Sequence, residues 1–383
     1  MATDSRWPLA GFYACYFAVL GVWLPFWPLY LAHLGHGAVT IGVLTALGQW
    51  IKIPAPPLWG RVADRGAGRH TVILHTSLAT LLAFCLFFLD FGLWWVALAT
   101  VLYSLFHAAP LSLTDSLAME LCVRRRWDYG RIRLWGSWGF ILLTLLAGPM
   151  TDAWGVGIVP FVIALLLLAG FLFALRLPRL EVHPWTGPAP AIFDRPEVRW
   201  FYGSAFLMQF SHGAYYGFMS LHLQQHDFSR TAIGLLWAVG VLAEVGLMHR
   251  SRILLDRFGV SRLLTFSLLM AALRWGLYAF TLHVGLLLAG QLLHAFTFGA
   301  FHIAAVRRVY DMAPVNGRGA AQGWLSGLSY GAGGGLGMVV SGVLFERMGY
   351  PVLFGVMALA ALAGVAASHR AALLFDLREP AHA

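Results

Sequence analysis

Apolar residues run along this chain in blocks of about twenty, separated by short polar stretches. An α-helix rises about 1.5 Å per residue, so a block of that length crosses a bilayer core of about 30 Å. The pattern predicts membrane helices near 8–32, 39–60, 71–90, 93–119, 134–151 and 155–176. A second six follow near 200–224, 231–249, 262–283, 285–311, 320–345 and 350–372. The predicted fold class is an all-α polytopic membrane protein, with twelve transmembrane helices in two pseudo-symmetric six-helix bundles. The expected domains are 1–176, a linker at 177–199, and 200–383. The linker holds Pro178, Pro184, Pro188, Pro190 and Pro196. Pro25 and Pro28 in the first span, and Pro54, Pro56 and Pro57 in the second, read as kinks. The first apolar run, about Trp7 to Leu31, exceeds the roughly 7–15 residues of a signal-peptide core and reads as a membrane helix.

Composition agrees. The chain is 59% hydrophobic and 11% charged, where a soluble domain has roughly 25% charged residues. The net charge of +9 comes almost wholly from arginine, with Lys52 the only lysine. Arg61, Arg65 and Arg69 follow the second span, and Arg124, Arg125, Arg126 and Arg131 the fourth. Arg176, Arg179, Arg195 and Arg199 surround the linker. Arg250, Arg252 and Arg257 follow the eighth span, Arg308 and Arg318 the tenth. By the positive-inside rule both termini and the linker are expected in the cytoplasm, with the protein in the inner membrane. This scattered arrangement points to a lipid bilayer and away from nucleic acid. Cys15, Cys85 and Cys122 fall in or beside different spans without metal or disulfide spacing. No metal, cofactor or ATP site is expected, and a monomer is.

Candidate chemistry lies where charge meets an apolar span. An ionisable side chain at membrane depth costs a few kcal/mol or more and marks a functional site by default. Asp115 sits near the middle of a long fourth span, and Arg133 opens the fifth, beside Trp135 and Trp138. The plainer alternatives are a carboxylate held by Arg124 or Arg125, and a loop arginine at headgroup level. Glu244 and Arg274 each lie deep in an apolar span, where a buried ion pair between them would account for both. His107, His212, His294 and His302 occupy spans four, seven and ten, either as cavity residues or as hydrogen-bonded core. Tyr215 and Tyr216 suit a ligand or an interfacial belt equally. Gly331 to Gly337 is too apolar in context for a phosphate loop and lets a helix pack closely or bend.

An internal repeat supports two parallel halves. Asp64 in Gly60-Arg-Val-Ala-Asp-Arg65-Gly and Asp256 in Ser251-Arg-Ile-Leu-Leu-Asp-Arg257 lie 192 residues apart. So do Gly42 and Gly234, and Lys52 and Glu244. The first loop resembles the loop signature of the major facilitator superfamily. That resemblance gives Asp64 and Arg65 a gating role, and Asp256 and Arg257 a weaker one.

A narrower resemblance rests on Leu24-Pro-Phe-Trp27, Leu113-Thr-Asp115, Asp128-Tyr-Gly-Arg-Ile-Arg-Leu-Trp-Gly-Ser137, Ala214-Tyr-Tyr-Gly-Phe218, Ala243-Glu-Val245, Arg274-Trp-Gly276 and Leu293-His294. These segments resemble the 3-phenylpropionate transporter branch, itself similar to the oligosaccharide:proton symporters. The resemblance implies that Asp115, Arg133, Arg274 and His294 belong to a substrate site, with Phe140 as the ring-stacking residue. Two departures stand out. Thr297 occupies the symporters' proton-coupling carboxylate position, and Glu244 lies about one turn beyond their eighth-span acid. With the extra cations Lys52 and Arg307, this favours an anion over a sugar.

The sequence therefore reads as a gradient-driven secondary transporter for a small organic acid, phenylpropionate-like, in symport with protons. Arg133 and Arg274 would bind the carboxylate, and Trp138, Phe140 and Tyr215 the ring. Asp115 would orient Arg133, and Glu244 with His294 would carry the proton. The rivals are a sugar or nucleoside symporter, a drug exporter, a receptor and a membrane-embedded enzyme. The isolated His33-x-x-His36 argues against the enzyme.

Overall fold

The computed structural model describes residues 6–63, 68–179, 193–314 and 317–378. Among them there is helix and connecting turn, and no strand. The helices are α1 (Trp7–His33), α2 (Ala38–Ile51), α3 (Ala55–Val62), α4 (Arg69–Cys85), α5 (Leu93–Arg125), α6 (Tyr129–Trp154) and α7 (Val159–Ala174). There follow α8 (Pro196–Gln225), α9 (Arg230–Met248), α10 (Ser251–Phe258), α11 (Val260–Phe280), α12 (Val284–Leu292), α13 (Phe301–Met312), α14 (Arg318–Leu325) and α15 (Gly334–Arg378). Wider π-helical turns, Ala295–Ala300 and Ser326–Gly333, join α12 to α13 and α14 to α15.

Ten helical stretches among the described residues are long and apolar enough to cross a membrane. One of them, Arg318–Leu377, runs for 60 residues. That is about 90 Å of helix, far more than one bilayer core. Gly349, at φ 77°, breaks it into two crossings. α8 stands outside the ten because Gln209, Ser211 and His212 dilute its hydropathy, yet its 30 residues suffice to span. The total is twelve spans, as the apolar pattern predicts.

Local chemistry explains two boundaries. The second span breaks at Lys52–Pro54, where the amides of Lys52 and Ile53 turn back to the carbonyls of Gln49 and Trp50. Pro54, Pro56 and Pro57 offer no amide to continue the ladder. α1, by contrast, continues through Pro25 and Pro28. α6 begins five residues before the predicted start, because the Asp128 side chain caps it by accepting from the Arg131 amide at 3.2 Å. Arg133 therefore sits inside α6 rather than at its threshold.

The chain divides into two compact units. The first comprises Met1–His36, Leu47–Trp185 and Leu223–Leu235, the second Gly37–Ala46, Thr186–His222 and Leu236–Ala383. In the first, Leu9, Phe12, Ile73, Leu117, Leu121 and Ile132 form part of a continuous buried core. There α9 begins against the end of α6. A Cβ on Gly234 would lie 2.6 Å from the Thr144 carbonyl oxygen, and one on Gly148 2.8 Å from that of Arg230. Asp152 accepts from the amides of Arg230 and Thr231, both at 2.9 Å, and from the Thr231 hydroxyl at 2.7 Å.

The second unit repeats this crossing where α2 begins against α15. A Cβ on Gly42 would lie 2.6 Å from the Met338 oxygen, and one on Gly342 2.6 Å from that of Ala38. Glu346 accepts from the Val39 amide at 2.9 Å. In both crossings a carboxylate neutralises the positive end of a helix whose backbone only glycine lets approach. A branched side chain at Gly342 must push the two helices apart. Gly342→Val is expected to cost about 1–3 kcal/mol, seen as a lowered melting temperature in detergent. Gly203→Ala, at a site with nothing within 4 Å, should leave that temperature unchanged.

Candidate functional site

Each unit carries an arginine-centred cluster built on residues that the sequence singles out. In the first, α5 brings Asp115 and α6 brings Arg133, with Arg133 Nε 3.8 Å from Asp115 Oδ1. Both side chains are about one-third exposed. Asp115 is held by two tyrosines that sequence reading did not single out. Tyr13 donates to Oδ1 at 2.6 Å and Tyr129 at 2.9 Å. The Arg133 guanidinium lies 3.9 Å from the centre of the Phe17 ring and 5.2 Å from that of Tyr13. Its planar fork is thus supported on aromatic faces, with only a long contact to its carboxylate. Arg124 bonds to Glu120 at 2.6 Å, so it is not the partner holding Asp115.

The second cluster is more deeply enclosed. Arg274 on α11 has no exposed surface. Its Nη1 donates to His294 Nδ1 at 3.0 Å and to the Thr297 hydroxyl at 3.2 Å, and its Nη2 to Gln291 Oε1 at 3.1 Å. The Tyr215 hydroxyl also donates to Gln291 Oε1, at 2.9 Å. The guanidinium packs over Tyr215 at 4.3 Å and Trp275 at 4.8 Å. His294 Nε2 lies 3.6 Å from Glu244 Oε2.

This geometry corrects the expected Glu244–Arg274 ion pair. His294 stands between them, and the two charges do not pair directly. Arginine has no acceptor, so the His294 nitrogen facing it presents a lone pair. The neutral ring then carries its proton on Nε2, toward Glu244. Gly299, in the π-helical turn after His294, makes room for this arrangement. A Cβ there would lie 3.1 Å from Glu244 Cγ. Such widened turns occur often at functional sites.

The other sequence-identified residues fall elsewhere. Phe140 is buried, and its carbonyl meets Gly21 of α1 in helix packing. Trp138 is half exposed. Arg307 pairs with Asp311, one turn along α13, at 2.9 Å. Asp64 and Arg65 lie outside the described residues. Asp256 and Arg257 lie on α10, where Arg257 sits 5.8 Å from the Phe258 ring centre. Among the described residues no group of three His, Cys, Asp or Glu side chains converges as for a metal. Gln291 went unnoticed in the sequence, although it stands one turn before His294 in an apolar run.

Residues 6–356 match a family model described as "MFS_1 like family". The "Probable 3-phenylpropionic acid transporter" of Escherichia coli is 29% identical, over 94% of this chain and 96% of that one. The "Maltose permease" of Geobacillus stearothermophilus is 26% identical, over 95% and 93%. The crystal structure of the nucleoside transporter NupG superposes with a TM-score of 0.77 over 97% of this chain and 99% of its own, at 18% identity. The POT family transporter PepTSo gives 0.78 over 98% of each, at 12% identity. At those identities the two structures support the fold.

Removing the amide oxygen of Gln291 leaves Arg274 Nη2 and the Tyr215 hydroxyl buried without that acceptor. Gln291→Leu should therefore destabilise the protein by about 1–3 kcal/mol for each donor. Thermal unfolding in detergent checks this, with Gln291→Glu, which keeps an acceptor, as the comparison.

Proposed function

The chain belongs to the MFS_1-like family, and on that premise we propose that this small-molecule transporter is a proton symporter for an organic acid. One observation carries the reading. Arg274 is a permanent cation, wholly buried, whose hydrogen bonds all go to neutral acceptors. A buried charge without a counter-ion is costly. A substrate carboxylate supplies the missing anion and fits the guanidinium fork with two parallel bonds. The 3-phenylpropionic acid relative supports an aryl acid.

The same geometry supplies a route to proton coupling. While Arg274 donates to His294 Nδ1, that nitrogen has no lone pair free for a proton. A carboxylate that draws Nη1 away releases it. His294 then accepts a proton at Nδ1, and Glu244 stabilises the resulting imidazolium from the Nε2 side. Anion binding and proton uptake thus favour each other, as linkage requires of a symporter. In the first unit, Arg133 is the second carboxylate-binding candidate, oriented by an Asp115 that Tyr13 and Tyr129 anchor. Trp138, Phe140 and Tyr215 remain the proposed ring contacts, Phe140 after a local side-chain movement. Arginine placement supports an inner-membrane protein with both termini cytoplasmic, and we take the working unit to be a monomer.

A neutral sugar is the second reading, favoured by the maltose permease relative. Counterflow in proteoliposomes with 3-phenylpropionate and maltose separates the two. For the coupling route, Glu244→Gln is expected to fold, bind 3-phenylpropionate and exchange it across the membrane, yet fail to accumulate it under an imposed proton gradient. Gradient-driven accumulation by well-expressed Glu244→Gln would remove Glu244 from the mechanism.

A further inference from the structure

The two units share a finer correspondence. In the second, a Cβ on Gly240 of α9 would lie 2.9 Å from Gln291 Oε1 and 3.5 Å from His294 Cδ2. In the first, a Cβ on Gly48 of α2 would lie 3.2 Å from Ser104 Oγ on α5. Gly48 and Gly240 are 192 residues apart, as are Lys52 and Glu244. Ser104 and Gln291 are 187 apart, as are His107 and His294. Lys52 is therefore the positional mate of Glu244, and His107 that of His294. The histidine recurs, while the charge one turn beyond the glycine is reversed.

Lys52 lies in the break between α2 and α3, inside the second span, and its side chain is exposed. It has no carboxylate partner among the described residues, and it lies one turn beyond Gly48 as His107 lies one turn beyond Ser104, where α2 meets α5. A lone ammonium at membrane depth marks a functional position. His107 is 3% exposed, stacked between Tyr16 at 4.4 Å and Tyr103 at 4.9 Å. The Tyr16 hydroxyl lies 3.3 Å from Nδ1 and 3.2 Å from the His107 carbonyl oxygen, with one proton to give. His107 Nε2 is buried and has no partner. When Tyr16 donates to Nδ1, Nε2 carries the ring proton and becomes a donor without an acceptor.

We propose that Lys52 and His107 form a further carboxylate-binding site within the first unit, besides Arg133. The ammonium supplies the charge, and a bound carboxylate selects the tautomer in which Tyr16 donates to Nδ1 and Nε2–H donates to the ligand. His107 and Asp115 are eight residues apart on α5, about 12 Å along the axis, so this site is distinct from the Arg133 couple. The ligand class is a small organic carboxylate. The choice of probe rests on the organic-acid reading above, but the test below reads Lys52 directly and needs no transport.

Lys52 is the only lysine of the chain, so an amine-acylating reagent followed by peptide mass spectrometry reports on it without interference from other lysines. The full-length protein in detergent is treated with 3-phenylpropionate, or with the uncharged 3-phenylpropanol, before acylation. The acid should slow acylation of Lys52 by roughly tenfold at saturation, and the alcohol should not, because an ion pair withdraws the amine. The same protection should persist in Arg133→Gln, which adds no lysine. Equal rates with and without the acid would overturn the proposal. So would equal protection by the alcohol, loss of protection in Arg133→Gln, or a Lys52 that no reagent reaches. Protection that is intact in a protein unable to accumulate the acid upholds this site and counts against the proton-symport reading alone.

Discussion

A guanidinium does not give up its proton inside a protein. Arg274 has no surface to reach, so its charge must be satisfied where it stands. The second unit is arranged around that constraint. Gln291, His294 and Thr297 supply acceptors from successive turns, and Tyr215 and Trp275 supply aromatic faces. None of these carries a negative charge. Glu244, the nearest carboxylate to the cluster's histidine, is kept one imidazole away from the arginine. Direct contact would give a closed ion pair with little reason to open, since breaking a buried pair is strongly unfavourable. On the proposed reading, the interposed histidine leaves the cation able to exchange neutral acceptors for an incoming anion.

The packing that holds these clusters follows the same economy of charge. At both glycine crossings a carboxylate, Asp152 or Glu346, accepts from the free amides at a helix start. The glycines let backbone meet backbone, and the acid satisfies donors that lipid cannot. The repeat conserves this architecture, while Lys52 and Glu244 reverse the charge at its equivalent points. One unit thus has a histidine facing a carboxylate, and the other has a lysine at the position equivalent to that carboxylate.

Much of this was legible in the sequence, for physical reasons that also mark where reading stopped. The spans follow hydropathy, and the Lys52–Pro54 break follows missing proline amides. Asp115, Arg133, Glu244 and Arg274 draw notice because charge in an apolar run is expensive. Gln291, Tyr13 and Tyr129 carry no charge, so nothing separates them from ordinary span residues until their partners are seen. The Glu244–Arg274 pair was expected from opposite charge and similar depth. Helix facing decides the matter instead, turning His294 into the gap. The burial of Phe140 depends on which face of α6 meets its neighbours, and the weak amphipathicity of a membrane helix does not encode that.

The central claim is that a carboxylate and a proton move together through a major facilitator fold. Adding 3-phenylpropionate to lightly buffered proteoliposomes and recording the external pH tests it most directly. The account predicts alkalinisation of the medium, faster than in protein-free liposomes and abolished when Arg274 is changed to methionine in a protein that still folds. Saturable uptake of the acid with no movement of protons beyond the protein-free rate would contradict it.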